Sequence, residues 1–493
     1  MSRPSNSCVL SVLSVLSVLS VPVSAQTTDP PPLAITQVTV IDVVSGGDLP
    51  DRTVIIRNGR IASIDSADAV QLTGMRILDG NGCYLIPGLW DMHVHVAAGP
   101  VTDTLLLPLF IAYGITGIRD MGSAPARWEF LRRWRAEVAA GEGVRPRLIA
   151  AGPMLNGPHQ DPAPSEWIVS GPAESGPMVD SVIGAGWDEV KVQDWLAPES
   201  FGAIARAARA SGRPLVGHAP FSVGLRAAGD AGMKSIEHLG NDFVAGMAVD
   251  CSSDEAAIRA GLDHARQAQS DSLFAATRRA AWLGHLLDSY DSGRCRALAA
   301  GLAARGVWQE PTIWLSQWLN AFGRDSIAWT PERLAYLPRS RRSPGAHTSN
   351  PFGFTPADRV QWVRLYREQM EIIALLRDAG SRFLAGSDTG PWEKMLPGLS
   401  LHEELERFVA AGFTPLEALQ AATINPAEFL GMSDSLGRVA PGYSADLVLL
   451  DADPRVDITN LSRIEAVVVR GSLVDAAERA ALLAAVARAA DSL

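Results

Sequence analysis

The sequence predicts an α/β protein: a (β/α)8 TIM barrel with a discontinuous flanking β-sandwich domain. Three observations lead to this prediction. Short apolar strands alternate with amphipathic helices through the middle of the 493-residue chain. Strands with the rhythm of an antiparallel sheet stand near both ends. Side chains of the kind that bind metals follow several of the central strands, where a barrel would bring them together.

The composition is that of a folded, acidic protein. Hydrophobic residues make up 47% and charged residues 20% of the chain, which fits one large domain with a smaller accessory domain. The formal net charge is −11, and the short basic stretch at residues 339–342 is typical of a solvated loop. Because an acidic surface repels phosphate backbones, we predict no nucleic-acid partner.

Residues 1–25 have the pattern of a secretory signal peptide. Arg3 gives a weakly positive start, the apolar stretch VLSVLSVLSVLSV follows, and VSA stands before Gln26 as a cleavage site. The apolar stretch is shorter than the ~20 residues that span a bilayer, and no later stretch is both long and uncharged. We therefore predict a periplasmic or secreted protein without a membrane span, in which residues 26–33 form an extended linker.

Strand patterns occur at both ends of the mature chain. The stretches ITQVTVIDV, RTVIIRNGRIASID and MRILDG alternate apolar and polar residues, and Asn58-Gly59 indicates a hairpin turn. Similar strands return in GRVAPGYSADLVLLDADP and IEAVVVRGSLVD. We predict that residues 34–85 and 436–475 form one β-sandwich domain around a large insertion, and that residues 476–493 form a C-terminal helix.

The insertion, residues 86–435, alternates strand and helix patterns. Between the strands lie helical patterns such as Phe201, Ile204, Ala205 and Ala208, spaced at i, i+3, i+4 and i+7. The eight strand candidates are LIPGLWDMHVH, GITGIRDMG, RPRLIAAGPML, DEVKVQDW, RPLVGHAP, KSIEHLG, GVWQEPTIW and RFLAGSDTG. Eight strand and helix units suit a barrel, although a doubly wound open sheet would show the same alternation.

Histidine, lysine and aspartate side chains stand in or at the ends of these strands. His93 and His95 end the first candidate, and residues two apart in a strand share one face. The candidate metal ligands are His93, His95, Lys191, His218, His238 and Asp388. In a barrel the carboxyl ends of the strands converge on one mouth, so these groups would meet there. Neutral imidazoles and a carboxylate suit Zn2+ or a similar first-row ion.

The motifs DMHVH, VKVQ, GHAP, IEHLG and AGSDTG, with the later stretch LSLHEELERFVAAGFTPLEALQAATINPAEFLG, resemble those of the amidohydrolase superfamily. The resemblance covers nearly all of the mature chain and is closest to imidazolonepropionase-like and prolidase-like (Xaa-Pro dipeptidase type) members. It implies a metal-bearing barrel that hydrolyses amide or related bonds, with the six residues above as ligands. In members with a lysine at the position of Lys191, that lysine is carboxylated and bridges two metals, whereas imidazolonepropionases lack it and use one.

The resemblance thus implies two divalent ions, with Zn2+ as the expected metal, and a carboxylated Lys191. A metal-bridging hydroxide would attack the amide carbon, and Asp388 would pass its proton to the leaving amine. His159, in the stretch MLNGPHQDP, is predicted to contact the substrate. Asp91 shares a strand face with His93, and it either supports a metal ligand or caps backbone amides.

Three interpretations of function remain open at this point. The first is a two-metal amidohydrolase that cleaves a dipeptide or an N-acyl amino acid. The second is a mononuclear cyclic amidohydrolase or deaminase of the imidazolonepropionase type, against which Lys191 argues. The third is a catalytically inactive binding protein on the same fold. The expected partner is a small amide or peptide, and the sequence leaves a homo-oligomer open.

The four cysteines bear on the compartment and on stability. Cys8 leaves with the signal segment, and Cys83 adjoins the first histidine strand. No C-x-x-C spacing occurs, which argues against a cysteine metal site. In an oxidising compartment Cys251 and Cys295 can pair, and we predict this disulfide on the condition that their Cα atoms come within ~7 Å.

Overall fold

The computed structural model describes most of the mature chain: residues 31–66, 70–96, 101–160, 162–241, 246–267, 277–320, 330–342, 353–390 and 396–493. The predicted signal segment and residues 26–30 of the predicted linker lie outside these ranges. Within them, no helix has both the length and the apolar character needed to cross a membrane. The fold is mixed α/β, in agreement with the predicted class.

The strands are mostly short, and most carry the buried apolar pattern seen in the sequence. In chain order they are β1 (Leu33–Ile41), β2 (Asp48–Arg57), β3 (Arg60–Ser66), β4 (Arg76–Asp79), β5 (Tyr84–Pro87), β6 (Leu89–Val94), β7 (Ile115–Asp120), β8 (Arg147–Ala150), β9 (Met154–Asn156), β10 (Glu166–Ile168), β11 (Val190–Val192), β12 (Leu215–Gly217), β13 (Ser235–Glu237), β14 (Trp308–Glu310), β15 (Leu447–Leu450), β16 (Ile464–Val469) and β17 (Ser472–Val474).

Helices connect most of the central strands, and one more follows the last strand. In chain order they are α1 (Leu107–Ala112), α2 (Trp128–Ala139), α3 (Pro172–Gly184), α4 (Pro198–Ala210), α5 (Leu225–Asp230), α6 (Gly246–Cys251), α7 (Glu255–Gln267), α8 (Ala280–Asp288), α9 (Ser292–Ala304), α10 (Ile313–Asn320), α11 (Pro331–Ala335), α12 (Pro356–Asp378), α13 (Leu399–Ala410), α14 (Pro415–Ala421), α15 (Ile424–Phe429) and α16 (Ala476–Asp491).

A mixed sheet combines strands from both ends of the chain. Its order is β17-β16-β15-β5-β1-β2-β3, and β4 pairs with β1. Asn58 and Gly59, with φ of 49° and 74°, form the two-residue turn between β2 and β3, since both residues of a type I′ turn need positive φ. β15 pairs antiparallel with β5, placing Leu450 opposite Tyr84. The apolar side chains of these strands form a core of their own.

The central strands form two parallel sheets. One has the order β6-β7-β8 and the other the order β10-β9-β11-β12-β13-β14. The backbone N–H of Asp188 donates to Ala150 O at 3.0 Å, which connects the end of β8 with the segment before β11.

The eighth strand candidate, RFLAGSDTG, is extended but does not form a regular strand. It makes isolated parallel bridges, Gln309 with Phe383 and Val94 with Thr389. Leu384 N donates to Gln309 O, and Met92 N donates to Ala385 O, both at 2.9 Å. The segment thus lies between β14 and β6, hydrogen-bonded to each in turn.

The first strand candidate, LIPGLWDMHVH, divides at Gly88. The residues before it form β5 in the mixed sheet, and those after it form β6 in a parallel sheet. A Cβ atom at Gly88 would lie only 2.2 Å from Thr116 Oγ1, so this crossing point has no room for a side chain. The strand that ends in the histidines is therefore joined directly to the mixed sheet.

The helices follow the predicted amphipathic pattern where it was clearest. On α4, Phe201, Ile204, Ala205 and Ala208 are buried, as their spacing indicated. Pro198 stands in the first turn of this helix, where its missing N–H would have had no helical partner.

The predicted disulfide is confirmed in the structure. Cys251, at the end of α6, is bonded to Cys295 in α9, and their Cα atoms are 4.6 Å apart. The carboxylate of Asp291 caps the amino end of α9 by accepting hydrogen bonds from Gly293 N and Arg294 N. The disulfide therefore joins the carboxyl end of α6 to α9.

Candidate metal centre

The first part of the site lies at the end of β6. His93 is fully buried, the side chain of His95 is 17% exposed, and their ring centroids are 5.3 Å apart. Asp388 is brought to them by the extended eighth segment, because its backbone N–H donates to His93 O at 2.8 Å. Asp388 Oδ1 lies 3.2 Å from His95 Nε2 and 3.5 Å from His93 Nε2. These three side chains therefore face one another.

Two further histidines complete the imidazole group. His218 directly follows β12 and His238 directly follows β13. The ring of His238 lies 4.6 Å from that of His93 and 4.9 Å from that of His218, between centroids. The four predicted histidine ligands thus form one continuous cluster at the carboxyl ends of the parallel strands.

Neighbouring side chains hold the Nδ1 atoms of three histidines. His93 Nδ1 lies 2.7 Å from Glu310 Oε2, and His218 Nδ1 lies 2.9 Å from Asp194 Oδ1. His238 Nδ1 is hydrogen-bonded to the hydroxyl of Thr312. Where such a partner is an ionised carboxylate, it accepts from Nδ1–H and the Nε2 atom of that histidine carries the lone pair.

Lys191 is the predicted ligand with the most unusual surroundings. It lies in the middle of β11 and is 1% exposed, and its Nζ is 3.4 Å from His93 Nε2. Burial lowers the pKa of His93 well below its ordinary value, and the charges of Lys191 and His238 lower it further. All six residues predicted as ligands are therefore brought together, and we call them the candidate metal centre.

Asp91 supports the segment that carries Asp388. Its carboxylate is completely buried and accepts hydrogen bonds from Ser387 N at 2.9 Å and Ser387 Oγ at 2.6 Å. Burial raises the pKa of Asp91 to about 7, although these hydrogen bonds oppose the rise. Asp388 has a φ of 55°, a conformation that non-glycine residues adopt only when their surroundings enforce it.

Beneath the histidines lies a buried charged group that the sequence analysis missed. Arg119 Nε donates to Glu189 at 2.7 Å, and Arg119 Nη2 lies 3.3 Å from Glu237 Oε1. Burial and the neighbouring Glu237 raise the pKa of Glu310 well above its ordinary value. Burial also opposes ionisation of Glu237, but Arg119 brings its pKa below the usual value.

A signal for these residues was present in the sequence. Glu237 in KSIEHLG and Glu310 in GVWQEPTIW stand inside apolar strand patterns. A carboxyl group in a buried strand requires a partner, so each indicated a polar contact inside the fold.

His159, which is predicted to contact the substrate, lies beside Glu166 and Trp195. Its Nδ1 lies 3.0 Å from Gly157 O and its Nε2 lies 3.2 Å from Glu166 Oε2. The ring stacks on Trp195, with centroids 5.9 Å apart. Trp195 directly follows Asp194, whose carboxylate lies 2.9 Å from His218 Nδ1.

The donor atoms of this cluster fit a bound cation. His93, His95 and Asp388 each offer one ligand atom, and these atoms lie within 4.8 Å of one another. Asp388 Oδ1 is buried, and its contacts with His95 Nε2 at 3.2 Å and His93 Nε2 at 3.5 Å do not have the geometry of hydrogen bonds. A buried carboxylate oxygen without a partner is costly, and a divalent ion with nitrogen and oxygen ligands would satisfy it.

Comparison with known proteins identifies the family. The model of the Amidohydrolase family matches residues 84–474, most of the chain. The chain belongs to the amidohydrolase family. The family is typically metal-dependent, and membership implies a hydrolase. The predicted resemblance is confirmed.

Solved structures of amidohydrolases share this fold. Bottromycin amidohydrolase is 23% identical with a TM-score of 0.69, covering 94% of this chain and 91% of that one. A Xaa-Pro dipeptidase with methionine bound in its active site is 19% identical with a TM-score of 0.62, covering 90% of this chain and all of that one.

One curated relative matches over a short stretch. Adenine deaminase of Moorella thermoacetica is 36% identical over 102 residues, which are 21% of this chain. The match spans only 16% of that protein. It therefore agrees with membership of the amidohydrolase family and leaves the substrate open.

Proposed function

We propose that this protein is a two-metal amidohydrolase that hydrolyses the amide bond of a dipeptide or an N-acyl amino acid. The observation that carries this proposal is the position of Lys191, whose Nζ lies 3.4 Å from His93 Nε2 inside a buried group of histidines. A permanent ammonium there would repel both the imidazolium form of His93 and any bound cation. A carboxylated lysine would instead add a negative charge between two ions.

We further propose that the parallel strands close into a (β/α)8 barrel. The hydrogen bonds from the eighth segment to β14 and β6 support closure on one side, and the Asp188–Ala150 contact supports it on the other. The metal centre then lies at the carboxyl ends of the strands, where barrel enzymes carry their active sites. The mixed sheet would be the flanking domain.

The proposed ligands divide into two groups. His93, His95 and Asp388 would hold one ion, His218 and His238 would hold the other, and carboxylated Lys191 would bridge them. When bound, such ions lower the pKa of a coordinated water and polarise the scissile carbonyl.

The side chains of this chain supply the proton transfer and the orientation. Asp388, one of the residues that would hold an ion, would also take a proton from the attacking water and deliver it to the leaving amine nitrogen. Glu310 fixes the tautomer of His93, and Asp91 fixes the segment of Asp388 through Ser387.

The function is tested by a substrate screen combined with a metal count. Metal-loaded protein is incubated with dipeptides, N-acyl amino acids, cyclic amides and aminopurines, and both new amines and free ammonia are measured. Two metals per chain with amide hydrolysis is the expected result. One metal with ring opening or ammonia release would favour the cyclic amidohydrolase or deaminase instead, and turnover of no compound would favour a binding protein.

Glu310 should control metal affinity through hydrogen-bond geometry rather than through charge. Glu310→Leu removes the acceptor for His93 Nδ1 and should weaken metal binding about 10- to 100-fold. Glu310→Gln should bind metal nearly as well as the parent, because an amide can still accept from His93 and donate to Glu237. Competition with a chelator measures both affinities. Gln309→Leu, in the same strand, is the control, and equal losses in the Gln and Leu variants would contradict the prediction.

We propose that the protein is exported, on the basis of the signal pattern at residues 1–25 and the Cys251–Cys295 disulfide. Expressed in full in a Gram-negative host, it should be recovered from the periplasm with an amino terminus at or near Gln26. Denatured without reductant, the mature chain should titrate one thiol, that of Cys83. Active cytoplasmic protein that retains Met1 would refute export.

A further inference from the structure

A cleft of about 900 Å³ lies beside the turns of the mixed sheet and the carboxyl end of α2. None of the metal-centre residues lines it. Among the residues that the structure describes, five arginines and no aspartate or glutamate line this space, although the chain has 54 acidic and 43 basic residues. We call it the arginine cleft; its arginines are Arg57, Arg60, Arg76, Arg147 and Arg470.

Two of these arginines are held rigidly at the base of the cleft. Arg470 donates from Nη1 to Arg145 O at 2.8 Å and from Nη2 to Gly143 O at 3.0 Å. Arg147 donates from Nη2 to Ser444 Oγ at 2.7 Å and from Nε to Asp446 at 3.1 Å. Each guanidinium retains further N–H groups, since arginine carries five. The donors are therefore oriented before any ligand arrives, which lowers the entropic cost of binding.

The positive charges of the cleft are only partly compensated. Arg147 is paired with Asp446, and Arg76 lies 3.1 Å from Asp475 and 3.8 Å from Glu478. Arg57, Arg60 and Arg470 form no ion pair with any residue that the structure describes. Arg470 Nε is in addition buried without a hydrogen-bond partner in the described chain. Burial lowers the pKa of Arg470, and the charge of Arg147 adds to this effect although Asp446 opposes it.

Arg57 and Arg60 stand directly opposite each other in the β2–β3 hairpin. Like charges at such positions destabilise a hairpin. Both side chains are exposed, so water and salt reduce the repulsion between them. An anion bound between them would attract both guanidinium groups and so outweigh this repulsion.

The backbone beneath the cleft is tightly constrained. Arg470 and Gly471, with φ of 47° and 82°, form the two-residue turn between β16 and β17, and the N–H of Arg470 donates to Asp446 Oδ1 at 2.7 Å. A Cβ atom at Gly59 would lie 3.0 Å from Arg470 O, so the two hairpin turns pack backbone against backbone.

We propose that the arginine cleft binds a small organic anion with two or more negative charges, either a dicarboxylate or a phosphate monoester. Guanidinium groups form paired hydrogen bonds with both kinds of oxyanion. The volume lies within the range of small-molecule sites. This site is separate from the proposed metal centre and does not depend on its chemistry.

The test is calorimetric titration of the mature protein with succinate and, separately, with glycerol 3-phosphate, in 0.15 M NaCl. One saturable site per chain is expected for at least one probe, and the probe that binds identifies the kind of oxyanion. The double variant Arg57→Gln/Arg60→Gln should bind at least about tenfold more weakly. Since both side chains are exposed, this variant should fold, and circular dichroism verifies that.

Two controls locate the binding. Arg206→Gln removes an exposed arginine on α4 outside the cleft and should leave the affinity unchanged. Asp388→Asn should also leave it unchanged, which separates the cleft from the metal centre. Absence of saturable binding for both probes, or equal affinity in the parent and the double variant, would overturn the proposal. If the double variant does not fold, Arg60→Gln alone takes its place, with a smaller loss expected.

Discussion

Replacing Lys191 with alanine is expected to reduce bound metal from two ions per chain to one or fewer, and to remove most hydrolysis. The proposed bridge is lost, and with it one of the two ions that polarise the substrate and the water. Metal assistance of this kind contributes several kcal/mol, so we expect the rate to fall about a thousandfold. Elemental analysis gives the metal count, and circular dichroism establishes that the fold is kept.

Variants of the same position separate carboxylation from simple packing. Lys191→Arg keeps the positive charge but does not carboxylate, and it should lose metal as the alanine variant does. A short carboxylic acid at high concentration should partly restore the alanine variant by occupying the space of the bridge. Lys234→Arg, at the other lysine that the structure describes, should keep both metal and rate. Two metals and the parent rate in Lys191→Ala would favour the one-metal enzyme.

Replacing Asp388 with asparagine should slow hydrolysis about 10²- to 10⁴-fold, because general acid and base catalysis contributes that much. The side chain keeps its shape and its place beside His93 and His95, but it no longer takes a proton. One ion should also bind more weakly, since a charged ligand has become neutral. Initial rates and the metal count are measured on the same sample.

The matched control for this variant is Asp250→Asn. Asp250 is also a buried aspartate, but it is paired with Arg259 Nη2 at 3.1 Å and lies outside the candidate metal centre. It should keep its metal and most of its activity. If Asp388→Asn keeps the parent rate across the pH range, the proton must travel by another group and the role assigned to Asp388 is wrong.

The sequence was most informative where a functional residue directly follows a buried strand. His218 and His238 each come one residue after a short apolar strand, so topology alone predicted that they would meet. The helix α4 was equally clear, because its spacing fixes which face is buried. In both cases the deciding information lies within about ten neighbouring residues.

Contacts between side chains that are far apart in the sequence could not be predicted from local patterns. Glu310 holds His93 across 217 positions, and Arg119 meets Glu237 across 118. Each carboxylate was visible as an anomaly in an apolar run, but the sequence does not show which partner satisfies it. The same limit applies to His159, whose neighbours Glu166 and Trp195 depend on how a loop folds back.

The eighth segment shows a different limit of pattern reasoning. Its apolar residues predicted a regular strand, yet its backbone bonds first to β14 and then to β6, and Asp388 adopts a positive φ. The periodicity of apolar residues indicates which side chains are buried, but it does not indicate which carbonyl oxygen accepts a hydrogen bond from each backbone N–H. The departure from regular geometry occurs at the residue assigned the proton transfer.

The pairing of β5 with β15 has a consequence for the order of events during synthesis. β5 runs into the histidine strand at Gly88, but its partner β15 lies more than 350 positions later in the chain. The strand that ends in His93 and His95 therefore gains its full anchorage only when nearly all of the polypeptide has been made, and contacts this distant form slowly. In the proposed exported protein, this late pairing would leave β5 without its β15 partner while the preceding part of the chain crosses the membrane.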